Sequence, residues 1–520
     1  MTTDKRTGKC LFTPAGRYFP PIAVWLFAVA FGVLEYFTLD GLDTIDFTYF
    51  YLEKCPDGFD FMGFLRFVNF ERKIDNMRVL NMMAPLRYLY VPQWLFATFI
   101  GLCSGLTLWL FGRFAAMRRG EGPMLFFVAW LLVVGLPWND HLLLALYTLN
   151  YTIPSTICLS GIWLVWSGGR RARVAGILLV AFAAVCHEGI GTVLLCGAAF
   201  MYLIIRGERC RRFCAIMAGG GLLSLAYMCF SRMTDRFSSE VHKPAMECMT
   251  ESWLLYNFLT VGLIIFLVVI LCVPRFRRNI GSFIGEHPLA VFFCGTALGG
   301  FFVSGIVEFW PRTSFWPQMC SAVVWTMLAV PVLRRNLKVA KIAGCILGVL
   351  FVAYMVWSVP QCRKFTDAYT AAIEQLKDSE SGTVFCRTVH PMDFPRYISR
   401  FPTRDLFFFE YHPLALSLHF RKPVALVPAE LRDMPTDVVP DSLYRSPSGY
   451  YVYRPTDSLM ADPTRVTAFN ISGRGVTVEG DSIEVKAFLL TYIAPDGKRM
   501  VMLAPVDIHP SRLRSLNVRP

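Results

Sequence analysis

Apolar positions along this chain fall in long runs separated by short polar segments. A helix that crosses a bilayer needs about 20 apolar residues. On that template the runs predict about eleven spans, at 21–39, 92–112, 123–138, 152–167, 173–186, 189–205, 213–230, 255–273, 288–306, 317–333 and 341–359. The third to sixth of these are short. The pattern changes at Gln361. Residues 364–378 have the spacing of an amphipathic helix, and 383–389 and 423–428 read as buried strands. From Gly449 strands alternate with turns, at 450–453, 475–479, 483–493 and 500–506, with Pro495-Asp-Gly497 as a turn. The expected fold is an α-helical multi-span membrane protein, 1–360, followed by a mixed α/β domain, 361–520, that ends in a small antiparallel sheet.

Composition supports the membrane reading. The 520 residues are 55% hydrophobic and 17% charged. A soluble protein of this size carries about 25% charge. The net charge of +13 is carried in short clusters between apolar runs, at 113–119, 170–173, 206–212, 275–278 and 334–341. This distribution is that of membrane orientation, not of a nucleic-acid stripe. All five clusters fall on one side if the N-terminus is cytoplasmic, which predicts a C-terminal domain outside the cytoplasm. The basic segment 1–9 and the run after it read as a retained first span, because no small-residue cleavage site follows. Most of the sixteen cysteines lie inside apolar runs and act there as small hydrophobes. Cys362 and Cys386 are the candidates for a pair outside the membrane.

Candidate chemistry gathers at the outer ends of the runs. Asp40, Asp43 and Asp46 directly follow the first run. If its helix continues past Thr38, Asp40 and Asp43 share a face at i, i+3. Such a pair could hold a divalent cation or take a proton from a hydroxyl; the plainer reading is a solvated loop. The loop 40–91 also holds a candidate interfacial helix, 71–94, with Asp75, Arg78 and Asn81 on one face. In the next outer loop, Asn139, Asp140 and His141 precede Tyr151. They could bind sugar hydroxyls or simply cap a turn. His187 and Glu188 form a polar corner between two apolar runs, either a site or a pair that ties helices together. Glu308 and Arg312 end another run among aromatics, where a guanidinium fork suits a phosphate or serves as an interfacial anchor. No Walker A loop, dinucleotide glycine fingerprint, Gly-x-Ser-x-Gly or His-Glu-x-x-His occurs. An activated donor would therefore arrive in the membrane.

The layout resembles the GT-C class of polytopic glycosyltransferases, which use polyprenyl-phosphate sugars. Bacterial members related to that class are similar over roughly 1–360. The similarity is carried by Asp-Asn-Met-Arg-Val-Leu-Asn81, Leu-Tyr-Thr-Leu-Asn-Tyr151, Cys-His-Glu188 and Pro-Arg-Thr-Ser-Phe315. The resemblance implies that Asp40 and Asp43 act as base or metal ligands and that Arg312 holds the donor phosphate, for which Arg78 is a further candidate. Asn81, Asn139, Asp140, His141, Tyr151, His187, Glu188 and Glu308 would line the substrate path. Asn139-Asp140 stands where the class carries a clean acidic motif, so a requirement for magnesium or manganese does not carry over directly.

The expected function is sugar transfer from a polyprenyl-phosphate donor to a glycan or lipid acceptor, on the outer side of the cytoplasmic membrane. The alternatives are a transporter or flippase of a lipid-linked glycan, and a non-catalytic envelope assembly protein. The charge pattern makes a direct prediction. Alkaline phosphatase, active only outside the cytoplasm, should be active when fused after Pro520 and inactive when fused after Lys338. The reverse result would overturn the orientation.

Overall fold

A computed structural model describes residues 21–38, 42–74, 78–139, 142–229, 251–306, 311–378, 383–395, 398–402, 413–432, 443–446, 450–453, 471–493, 499–505 and 508–518. Among them, five helices are long and apolar enough to cross a bilayer: Gln93–Phe114, Glu208–Cys229, Pro288–Gly305, Pro311–Arg335 and Leu337–Asp378. Shorter apolar helices occupy Ile22–Tyr36, Gly122–Gly135, Glu188–Ile204 and Phe258–Cys272. The chain is a helical membrane protein. Its exposed surface agrees: along the Leu337–Asp378 helix, Val349 is 71% and Val356 66% exposed, a placement that water would penalise and lipid accepts. The chain divides into two compact units.

The first unit comprises Met1–Phe31, Ile100–Leu136 and Tyr151–Ala353. It contains most of α1 (Ile22–Tyr36) and of α5 (Gln93–Phe114), then α6 (Leu125–Gly135), α8 (Ile153–Ser167), α9 (Arg170–Cys186), α10 (Glu188–Gly191), α11 (Val193–Ile204) and α12 (Glu208–Cys229). The helices Phe258–Cys272, Pro288–Ile306 and Phe315–Arg335 follow. Small residues let these helices approach closely. At the crossing of α8 and α9, a Cβ on Gly161 would lie 2.9 Å from the Gly176 carbonyl, and one on Gly176 would lie 2.8 Å from that of Gly161. Neither position tolerates a side chain. Phe351 is fully buried, with the rings of Phe27 at 5.7 Å, Phe126 at 6.1 Å and Trp130 at 6.3 Å. Several polar side chains inside the unit bond one another. Gln318 accepts from the Thr260 amide (3.0 Å) and donates to the Gly135 carbonyl (3.0 Å), while Thr260 and Ser321 share a hydroxyl bond of 2.8 Å. This network ties α6 to the Phe258–Cys272 and Phe315–Arg335 helices and occupies a carbonyl that α6 leaves open at its end.

The second unit comprises Gly32–Phe99, Pro137–Asn150 and Tyr354–Pro520. Three stretches distant in sequence thus fold together. In it, α2 (Leu42–Lys54) packs on α3 (Phe61–Ile74), on α4 (Ala84–Tyr90), on the short α7 (Ala145–Tyr147) and on the Pro413–Phe420 helix. Strands β1 (Thr383–Cys386) and β2 (Ala425–Pro428) pair in parallel. A six-stranded antiparallel sheet has the order β3-β4-β7-β6-β5-β8. Its strands are β3 (Leu443–Arg445), β4 (Tyr451–Tyr453), β5 (Ile471–Thr477), β6 (Ser482–Ile493), β7 (Arg499–Pro505) and β8 (Leu513–Val518). Phe365, Ala368, Ala372 and Leu376, one helical face, form a core with Val384, Leu426, Val452 and Met502. Tyr451 faces a second cluster with Val485, Leu503 and Leu513, as strand alternation requires.

Several expectations change. The last apolar run and the amphipathic helix after it are one helix, Leu337–Asp378. Pro360 lies inside it without ending it, and the Ser358 hydroxyl and the Gln361 amide donate to the carbonyls of Tyr354 and Trp357 beside it. Residues 71–94 are not one interfacial helix. Helix α3 ends at Ile74, Asn81–Met83 form a 3-10 turn, and α4 starts beside Pro85, a residue that suits a helix start and not an interior. Cys362 and Cys386 are free thiols, each buried in its own surroundings. Strands β3 and β8 and the Pro413–Phe420 helix were not anticipated; each is too short or too polar to stand out.

His390 links the two sheets of this unit. Its Nδ1 accepts from the Met392 amide (3.1 Å), so Nε2 carries the proton and donates to the Pro505 carbonyl at the end of β7. Burial pushes its pKa below the usual imidazole value, against the pull of the Pro505 carbonyl. A depressed pKa contributes stability that is present above the unfolded value, about 6.5, and is lost as pH falls through the folded one. Acid titration of unfolding should therefore show a stability loss starting below about pH 6.5 that is absent in His390→Gln. Identical profiles for the two proteins would contradict this assignment.

Candidate functional site

The end of α1 is held from three directions. The Glu35 carbonyl accepts from the Gln93 amide (2.9 Å), and the Thr38 carbonyl accepts from the same group (3.4 Å). The Thr38 hydroxyl bonds back to the Leu34 carbonyl (2.7 Å), and the Thr366 hydroxyl donates to the Phe37 carbonyl. These bonds satisfy the open carbonyls of the last turn and end the helix at Tyr36. A new helix, α2, starts at Leu42. The helix of the first span therefore ends before Thr38, and the expected i, i+3 pairing of Asp40 with Asp43 falls on side chains outside the description. Asp40 lies outside the described residues. Asp43 is in the first turn of α2, with its side chain outside the description.

Sequence reasoning passed over Glu35. It is 1% exposed, in the last turn of α1. Its carboxylate accepts from the Thr148 hydroxyl (3.3 Å), which also lies 3.1 Å from the Leu142 carbonyl and shares its one proton between them. Glu35 thus anchors the turn that leads to Asn150 and Tyr151. The signal was present in the sequence as a charge at the edge of an apolar run. Glu71, Arg87 and Asn150 are also buried, and Arg87 stacks on the Phe96 ring at 4.6 Å. Asn81 and Asn139 are buried, and Arg78 is half-buried with its carbonyl bonded to the Asn81 amide (3.0 Å). Asp140 and His141 lie outside the described residues.

Three of the sequence-picked pieces meet inside the first unit. The Tyr151 ring lies 4.6 Å from that of His187 and 5.9 Å from that of Phe315. Tyr151 sits in a π-helical turn, Thr148–Thr152, a local widening often found at functional sites. His187 is buried and caps α10, its Nδ1 accepting from the Gly189 amide (3.0 Å). That bond places the ring proton of the neutral form on Nε2, which makes it a donor. Glu188 follows in the first turn of α10, where the helix dipole favours a carboxylate. Arg312 is half-buried in the 3-10 turn Pro311–Ser314, directly before Phe315, and the Ser314 hydroxyl closes that turn on the Pro311 carbonyl (2.7 Å). Glu308 lies outside the described residues. The arrangement brings an imidazole donor and a phenol ring beside Phe315, next to the turn that carries Arg312, a set that suits a sugar or an anionic group.

Among the described residues, no group of three or more His, Cys, Asp and Glu side chains is placed to hold a metal ion. No protein-family model matches the chain, and no curated protein or solved structure is detectably similar to it.

Glu35→Ala removes the acceptor for Thr148 and leaves buried groups open, a loss of about 1–3 kcal/mol. The denaturation temperature of the purified protein should fall accordingly. Glu35→Gln, which keeps an acceptor oxygen, should lose less. Equal stability of Glu35→Ala and the parent protein would remove Glu35 from this role.

Proposed function

We propose that the protein is a glycosyltransferase of the cytoplasmic membrane, moving a sugar from a polyprenyl-phosphate donor to an acceptor hydroxyl on the extracytoplasmic side. The observation that carries the reading is the convergence of Tyr151, His187 and Phe315, from three separate segments, beside the turn that bears Arg312. The reading includes the eleven spans, the cytoplasmic N-terminus and the extracytoplasmic tail expected from the sequence. Arg312 would hold the donor phosphate, because its fork matches phosphate oxygens and keeps its charge at any working pH. His187 would donate from Nε2 to a sugar or phosphate oxygen. The acceptor oxygen attacks the anomeric carbon, and its proton passes to the carboxylate of Asp40 or Asp43. The bond between the anomeric carbon and the phosphate oxygen breaks, and the polyprenyl phosphate leaves with the electron pair.

A transporter needs charged or strongly polar groups along a path at mid-membrane. Among the described residues, the buried charged side chains are Glu35, Glu71, Arg87 and Glu121, and none lies midway along a candidate span. Glu121 is held by Arg334 at 2.9 Å, next to the start of the Gly122–Gly135 segment. This favours transfer chemistry at the helix ends over passage through the middle.

Deleting the gene should remove one envelope glycan and raise the level of its polyprenyl-phosphate sugar, with both restored by the parent gene. Asp40→Asn, Asp43→Asn and Arg312→Gln, each present in the membrane at parental level, should lower transfer by about 100-fold or more, the scale of lost acid–base or charge assistance. Full activity in all three variants would end this mechanism.

A further inference from the structure

A cavity of ≈ 440 Å³ opens in the first unit where the end of α8 meets the starts of α9 and α12. It is lined by Trp166, Arg173, Glu208, Arg209, Arg212 and Phe213. Arg209 is fixed there: it donates to the Trp166 carbonyl and its guanidinium lies 4.4 Å from the centre of the Trp166 ring. Arg212 pairs with Glu208 one turn earlier. The two stretches 170–173 and 206–212 hold seven arginines against one glutamate. The arginines at 170, 171 and 173 crowd the first turn of α9, where a helix dipole disfavours cations and attracts anions. Such an arrangement is costly without a negative partner. Two basic groups of the other clusters are committed elsewhere. Arg334 is bonded to Glu121 and the Ala116 carbonyl, and Arg113 lies over the rings of Trp109 and Trp163.

Directly beyond the arginines, the surface is apolar. Val174, Ile177 and Leu178 on α9 and Leu203 on α11 are exposed. The geometry points to a binding site for an anionic phospholipid, with its phosphate headgroup in the arginine cavity and its acyl chains along α9. The charge rule places this site on the cytoplasmic leaflet. A free phosphate would use the same arginines but gain nothing from the apolar flank. The site rests on the membrane location of the chain and not on the transfer reaction, so failure of either leaves the other standing.

The test is native mass spectrometry of the full-length, delipidated protein with phosphatidylglycerol, phosphatidylcholine and inorganic phosphate as probes. The parent protein should retain phosphatidylglycerol in preference to phosphatidylcholine, and millimolar phosphate should not displace it. The double variant Arg173→Gln/Arg212→Gln, which leaves the Arg209–Trp166 stack in place, should weaken phosphatidylglycerol binding about tenfold, and the control Arg335→Gln/Lys338→Gln should stay within about twofold of the parent. Size-exclusion and melting profiles verify that both variants fold. Equal weakening in the two variants would reduce the effect to diffuse charge and overturn the site. Displacement by phosphate would assign it to a soluble anion instead, and equal retention of the two lipids would remove the headgroup recognition.

Discussion

Hydrocarbon cannot hydrogen-bond a peptide group, and the fold follows from that constraint. Each N–H and C=O within the apolar runs must find a partner inside the chain, so the runs become helices. The helix ends then carry the unsatisfied groups, and side chains gather there to meet them. Gln318 reaches the last carbonyl of α6, Gln93 and Thr366 reach the last carbonyls of α1, and Arg209 reaches one at the end of α8. The polar chemistry of this protein lies at helix ends because those are the places where polar atoms are needed.

The second unit obeys different physics. Its strands are stabilised by burial on one face, against a core to which a single helix face, Phe365 to Leu376, on the extension of an apolar helix, contributes. The same unit takes in the segments 32–99 and 137–150, where the proposed acids and the Glu35 anchor lie. Glu35 acts within this unit, where its buried carboxylate holds the turn at Thr148.

Legibility of the site varied residue by residue. His187 and Arg312 were visible as charges or imidazoles interrupting apolar runs, and such interruptions are rare enough to be informative. Glu35 carried the same signal but was overshadowed by the three aspartates that follow it. The reading of Asp40 and Asp43 as an i, i+3 pair depends on the first helix continuing past Thr38. Thr38 and Gln93 stop that helix, and nothing local in the sequence announces Gln93 as a cap 58 residues away. Asn81 looked like part of a polar stripe on a surface helix, yet it is buried beyond a chain break in helicity.

Helix positions, the strands with clear alternation and the membrane location were readable from the chain, because they depend on local period and on transfer of side chains from water. Residues 153–167, 188–204 and 258–272 became helices where apolar runs predicted them. Which distant segments share one unit was decided only in three dimensions. The meeting of Tyr151, His187 and Phe315, the Gln318 network and the arginine cavity between α8, α9 and α12 all depend on how helices pack. Packing is set by shape complementarity and by close approach at small residues such as Gly161 and Gly176, and these relations carry no periodic trace along the sequence.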